Sequence, residues 1–234
     1  MQKIGVVIQA RMSSRRLPGK VLLKIADKEV LEYILDRYSD FDFIDEVFLA
    51  TSDDEEDEKL VKFGKRHSVS IFVGSLENVL ERFYLCALQF NIDIIVRHTA
   101  DNLFVDKKLL SEAVEIAKSL DPKKPFIVTS RNNSIPTGMD VEVFSFSALQ
   151  IAHDNATTQY EKEHVTPYLM NSKLVEKYVI GQEYSKESPS VQPRCTLDSK
   201  SDLLLVTNYL NWLCGDSPSI KNCYSWWSTL GVRK

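Results

Sequence analysis

Cysteine is scarce in this sequence, and no two cysteines lie close together along it. Cys86, Cys195, Cys214 and Cys223 are the four in a chain of 234 residues. That spacing excludes a zinc ribbon and a CxxC redox pair. Each is expected to be a reduced, partly buried thiol. Long apolar runs are also missing, since none approaches the roughly 20 residues that a membrane-spanning helix needs. The opening MQKIGVVIQARM has too short an apolar stretch for a signal peptide, and a basic loop stands where a small-residue cleavage site belongs. The expected location is the cytoplasm, with no membrane partner. Positive charge is not in excess either: 29 Lys and Arg face 33 Asp and Glu, a net charge of -4. This excludes broad nucleic-acid binding, which needs a basic field, while leaving room for a local basic pocket. Neither GxxxxGK[ST] nor GxGxxG occurs, so a Walker A loop and a dinucleotide-reading loop are both excluded. No internal repeat and no low-complexity segment is present.

The rest of the composition belongs to a globular protein with a real core: 44% of residues are hydrophobic and 26% are charged. The length suits one α/β domain over residues 1–234, with a small appendage. Apolar runs alternate with amphipathic segments. Ile4–Ala10, Glu46–Ser52, Ser70–Gly74 and Ile92–Thr99 read as buried strands. Leu31–Tyr38, Glu77–Phe90, Lys107–Leu120, Ser147–Ala156, Glu161–Asn171 and Ser199–Leu213 read as helices. Val79, Leu80, Phe83, Ala87 and Leu88 form the expected core face of the second of these. The acidic run Asp53–Glu58 reads as a solvated helix start rather than a metal site. Phe126–Ser130, Asp140–Phe144, Lys177–Gly181 and Arg194–Asp198 read as short strands, and Gln182–Pro193 as a loop. The tail from Gly215 shows little pattern beyond Trp226 and Trp227, which could cover the core or an interface.

Strands separated by helices of this length imply crossovers and a mostly parallel, doubly wound α/β sheet. Ligands in such sheets sit beyond the carboxyl ends of the strands, where strand order reverses. The stretch after the first strand, RMSSRRLPGK, holds Arg11, Arg15, Arg16 and Lys20 within ten residues. Arg offers a planar fork to phosphate oxygens and Lys a mobile point charge. Ser13 and Ser14 add hydroxyl donors, and Pro18-Gly19 fixes a turn that lets backbone approach a ligand. Asp101 ends the fourth strand and Asp198 ends a later one. Each could be no more than a helix cap or a loop-end carboxylate. Together they could hold Mg²⁺ against phosphate oxygens if their strands are neighbours. His98 is expected to be packed or capping.

These stretches, with ENVLERFY, VRHTADNLFVD, PTGMDVEVFS, EKEHVTPYL and RCTLDSKSDLLLV, closely resemble the CMP-sugar-synthetase-like cytidylyltransferases. Within them the chain is most similar to the group named for the spore coat polysaccharide biosynthesis protein SpsF, related to the CMP-Kdo and CMP-sialic acid synthetases. The resemblance runs from about residue 3 to about residue 210. It implies a Rossmann-like core of the nucleotide-diphospho-sugar transferase type. It implies CTP as nucleotide, a small sugar, acidic in these relatives, as acceptor, and Mg²⁺ held by Asp101 and Asp198. Carried over by position, Ala10, Arg11, Ser14, Arg16, Lys20, Asn78, Arg82 and Asp101 bind the nucleotide, with Arg11, Lys20 and Asp101 catalytic. Thr137, Asp140, Glu142, Glu163 and His164 fall on the acceptor side. A homodimer is implied, paired through a subregion around residues 131–181. Two positions depart from the family pattern. Ala100 replaces the usual Gly, and Leu103-Phe104 replaces Pro-Leu. A methyl at 100 matters if backbone must pass close to the ligand. Two other readings remain: a glycosyltransferase of the same fold, although no DxD follows a strand, and a nucleotide-binding homologue of weak activity.

Overall fold

A computed structural model describes residues 2–231. The first half runs β1 (Ile4–Gln9), a hairpin of β2 (Lys24–Ile25) and β3 (Lys28–Glu29), α1 (Val30–Ser39), β4 (Glu46–Ser52), α2 (Glu58–Arg66), β5 (Ser70–Gly74), α3 (Val79–Gln89) and β6 (Ile94–Thr99). The second half runs α4 (Lys107–Ser119), β7 (Phe126–Thr129), β8 (Glu142–Ser145), α5 (Phe146–Asn155), α6 (Gln159–His164), α7 (Thr166–Asn171), β9 (Glu176–Val179), α8 (Lys200–Leu213) and α9 (Ile220–Thr229). Seven strands make the central sheet in the order β5-β4-β1-β6-β8-β7-β9. All neighbours are parallel except those of β8, which runs against β6 and β7.

The apolar run of β1 is explained by this position. Side chains alternate across a strand, so a strand covered on both faces needs apolar residues throughout. Val6 and Ile8 enter one hydrophobic core and Val7 the other. Gly5 is required by close approach: a Cβ there would lie 2.8 Å from Ile92 and 2.9 Å from Phe48. Side-chain caps start the helices. Asn78, Asp106, Ser145, Ser199 and Ser219 each accept a backbone N–H of the first turn.

Several expected elements take another form. Arg194–Asp198 is not a strand but makes isolated bridges, Thr137 with Arg194 and Asn102 with Thr196. Five residues that strap two loops together have no full-length partner to ladder with. The expected helix over Glu161–Asn171 is two helices, broken at Val165 (φ 67°, ψ -62°). The patternless tail contains α9, whose Trp226 stacks against Tyr209 of α8 at 4.9 Å. On α3, Leu88 is exposed and Cys86 takes a core position. The thiols also differ from expectation: Cys214 is exposed, while Cys195 and Cys223 are buried with sulfurs 3.3 Å apart. Among the described residues, no helix is long and apolar enough to cross a membrane.

Candidate active site

Strand order fixes where a ligand must sit. From β1 the chain winds outward through β4 and β5, then returns to place β6 on the other side of β1. The carboxyl ends of β1 and β6 therefore flank the point where winding reverses. The loop after β1 carries Arg11–Lys20, and the loop after β6 carries Asp101 and Asn102.

The β1 loop is folded around one carbonyl. Met12 O accepts from Ser14 N at 2.9 Å and Gly19 N at 3.0 Å. Gly19 (φ 70°) turns the chain into a short 3-10 turn that begins with Lys20. Lys20 is 9% exposed, and its ammonium points back into the sheet end. There Nζ meets Asp198 Oδ1 at 2.8 Å and Asp101 Oδ2 at 3.0 Å. The two aspartates expected to act together are thus joined through one cation. Leu197 N donates to Asp101 O at 2.8 Å, which holds the two loops in register. Arg16 and Arg194 also reach Asp198, at 3.0 Å and 2.5 Å. Burial pushes the Asp198 carboxyl up, but the Lys20 hydrogen bond and the charges of Lys20, Arg16 and Arg194 outweigh it and hold it below its ordinary value. Asp202 lies behind: its carboxylate accepts from Asp198 N and Ser199 N and caps α8. Arg194 was not anticipated. A cation four residues before a strand-end aspartate is the only trace of it in the sequence.

Both departures from the family pattern lie in the core. Ala100, Leu103 and Phe104 are buried in the main hydrophobic cluster, and Phe104 packs edge-on against Tyr209 at 4.8 Å. The Ala100 methyl therefore fills a packing position.

On the other side of β1, Arg11 is exposed and its ion-pair partner is Glu163 of α6, at 3.6 Å. Ala10 is buried, with its N–H donated to Ala50 O. Ser14 is half-buried within the loop. Asn78 caps α3 through its side-chain oxygen. Arg82 is 2% exposed, yet among the described residues its guanidinium makes one hydrogen bond, a long 3.4 Å contact from Nη1 to Ser75 O, and Nε has no partner. Burial pulls its pKa down to about 10, with Asp57 opposing. Asp57 was read as part of a solvated acidic run. It is instead 1% exposed, and its carboxylate accepts from Met12 N at 2.6 Å and Ser52 Oγ at 2.5 Å.

The residues expected on the acceptor side divide into two groups. Thr137 is exposed on the loop that bridges to Arg194, with its carbonyl accepting from Cys195 N at 2.8 Å. Next to it Gly138 (φ 92°) leaves no room for a side chain, since a Cβ would lie 2.7 Å from Thr196. Glu163 and His164 lie on α6, a helix without a buried residue, and His164 meets Tyr160 at 4.6 Å. Glu142, by contrast, is fully engaged. It pairs with Arg97 at 2.6 Å and accepts from Thr166 Oγ1 at 2.8 Å. Arg131 approaches it at 3.5 Å and Asp140 at 4.0 Å. Burial and then the Glu142 charge raise the Asp140 carboxyl pKa. Beneath these residues a cavity of about 20 Å³, room for about one water, is lined by His98, Asn102, Gly138 and Asp140. His98 is packed, as expected, with Nδ1 2.9 Å from Tyr38 Oη. Elsewhere, Glu29, Glu32 and His67 bring three ligand atoms within 4.8 Å of one another. Arg66 already donates to Glu29 and His67 there.

A doubly wound sheet whose switch point faces a cationic loop with two carboxylates defines a protein built to handle a nucleotide's phosphates. Sequence comparison makes this specific. The profile of the cytidylyltransferase family matches residues 5–203, and the chain belongs to that family as an enzyme of its kind. It is 32% identical over 207 residues to the spore coat polysaccharide biosynthesis protein SpsF of Bacillus subtilis, covering 86% of this chain and 84% of that one. It is 26% identical over 201 residues to the 3-deoxy-manno-octulosonate cytidylyltransferase of Geobacter metallireducens, covering 78% and 76%. A solved cytidylyltransferase from Leptospira borgpetersenii superposes with a TM-score of 0.80 at 29% identity, covering 99% of this chain and 94% of that one.

Proposed function

We propose that the protein transfers CMP from CTP to a small sugar acid, releasing pyrophosphate, for the synthesis of a surface polysaccharide or other glycoconjugate. The observation that carries this reading is the convergence of Asp101 and Asp198 on the Lys20 ammonium at the switch point. Two carboxylate oxygens aimed at one cation are hard donors, and they fit Mg²⁺, which prefers one or two carboxylates plus phosphate oxygens. Bound there, Mg²⁺ would neutralise the triphosphate as its charge redistributes. Arg11, Ser14, Arg16 and Lys20 then grip the β- and γ-phosphates and stabilise pyrophosphate as it leaves. Arg82, with its underused donors, and Asn78 take the base, while Ala10 lines the site through its backbone. Thr137, Asp140, Glu163 and His164 face the acceptor, and Glu142 holds that wall in place. Catalysis of this kind is largely orientation and charge neutralisation, which suits a site rich in fixed charges and poor in general bases.

The acidic acceptor is supported by the resemblance to a Kdo-activating relative, and the biosynthetic setting by the SpsF relative. We read the chain as one domain working as a cytoplasmic homodimer, paired around residues 131–181. The deciding experiment measures pyrophosphate release from CTP and Mg²⁺ with a panel of sugar acids and matched neutral sugars. Release with an acid and not with its neutral counterpart is the expected result. CTP binding without release with any sugar would leave a nucleotide-binding homologue instead.

A further inference from the structure

Within the acidic run Asp53–Glu58, Asp57 is the buried member. It stands at the N-cap of α2, yet its carboxylate caps no N–H of that helix. It turns inward to the sheet end. There it accepts from Met12 N at 2.6 Å, from Ser52 N at 3.2 Å and from Ser52 Oγ at 2.5 Å. A carboxylate withdrawn from water is costly unless its oxygens are filled and its charge is answered. The oxygens of Asp57 are filled by the end of β4 and by the first residues of the triphosphate loop. Met12 is the residue whose carbonyl gathers Ser14 N and Gly19 N, so the hydrogen bond to Asp57 sets the base from which the loop to Lys20 is folded.

From this geometry we infer that Asp57 is the positioning residue of the nucleotide site. It ties the start of the triphosphate loop to the end of β4. It touches neither substrate nor metal. The inference rests on the nucleotide reading of the loop.

Asp57→Asn tests it. The amide keeps the shape and one acceptor oxygen, removes the charge, and turns an N–H₂ toward donors. Two readouts are needed: CTP affinity with Mg²⁺ by calorimetry, and backbone amide exchange. The variant is expected to bind CTP at least about tenfold more weakly, in line with the loss of a charge-assisted hydrogen bond. Exchange should rise at Met12, Ser14 and Gly19 while β7 and β9 keep their protection. Should the amide variant not fold, Asp57→Glu keeps the charge and displaces the oxygens by one methylene. It is expected to show the same local rise in exchange with a smaller loss of affinity. Affinity within twofold of wild type in a folded variant, or exchange rising as much in β7 and β9 as in the loop, overturns the inference. Wild-type protein that binds no CTP overturns the nucleotide reading instead, a result seen before any variant is made.

Discussion

The Lys20 ammonium lies 2.8 Å from Asp198 Oδ1, and so a protein cation already occupies the point on which the two aspartates converge. A divalent ion arriving alone must displace it. One arriving with a triphosphate brings phosphate oxygens to which the Lys20 ammonium can turn as it leaves Asp101 and Asp198.

Metal affinity without nucleotide should therefore be weak and limited by Lys20. Removing the side chain in Lys20→Ala frees both carboxylates of a charge-assisted partner worth about 1.5–3 kcal/mol. Mn²⁺ titration of the nucleotide-free protein should show affinity rising about tenfold or more. CTP affinity should fall in the same variant, since the cation that would meet the phosphates is gone. Metal affinity that drops or stays level in Lys20→Ala would mean that the aspartates do not form the metal pair.

Arg82 gives a prediction of opposite sign for stability and binding. Its guanidinium is buried with one 3.4 Å hydrogen bond, so its desolvation is poorly compensated in the folded protein. Arg82→Met keeps the packed stem and removes that cost. Thermal unfolding should show a midpoint equal to or above wild type, while CTP affinity falls at least about tenfold from the lost hydrogen bonds to a charged group. A clear loss of stability would assign Arg82 to the core instead.

The two glutamates proposed for the acceptor side should separate in the same way. Glu142 is buried against Arg97 and Thr166, whereas Glu163 shares a half-exposed 3.6 Å pair with Arg11. Removing one partner of a buried pair strands the other, at a cost of about 3–5 kcal/mol. Glu142→Ala should accordingly lower the unfolding midpoint by about 6–20 °C, at roughly 2–4 °C per kcal/mol for a chain of this size. Glu163→Gln should cost less than about 1 kcal/mol. Its effect should fall on the KM of the acceptor.

The parts of this protein legible in the sequence are those set by one strong local pattern. β1 reads as a buried strand because both its faces are covered, and α8 ends where its periodicity ends. The loop RMSSRRLPGK and Asp101 are legible because a strand empties into each. Asp57 was hidden for the reverse reason. Five acidic neighbours share its composition, and what separates it is a contact with Met12, 45 residues away in sequence. Arg97 was hidden too, since an arginine inside an apolar strand announces its partner only when β8 pairs antiparallel with β6 and sets Glu142 opposite. The break near Val165 is marked in the sequence by Pro167, which falls in the first turn of α7, but the positive φ of a β-branched residue is not, because tertiary packing holds it.

His98 carries the pH dependence. Burial pulls its pKa down to about 4, outweighing the Asn102 backbone and the Asp101 charge, which favour the protonated ring. The unfolded chain titrates near the ordinary histidine value of about 6.5. Between those values the unfolded state binds a proton that the folded state refuses, so the folded state loses ground as pH falls. The contribution is fully present above about pH 6.5, declines through the interval, and is spent below pH 4. A gap of this size corresponds to about 3 kcal/mol. Urea unfolding at pH 7.5 and pH 5 should therefore show wild type less stable at the lower pH. His98→Gln, which keeps a polar group near Tyr38 without a titrating ring, should remove most of that difference. A pH dependence unchanged in His98→Gln would place the responsible group elsewhere in the molecule.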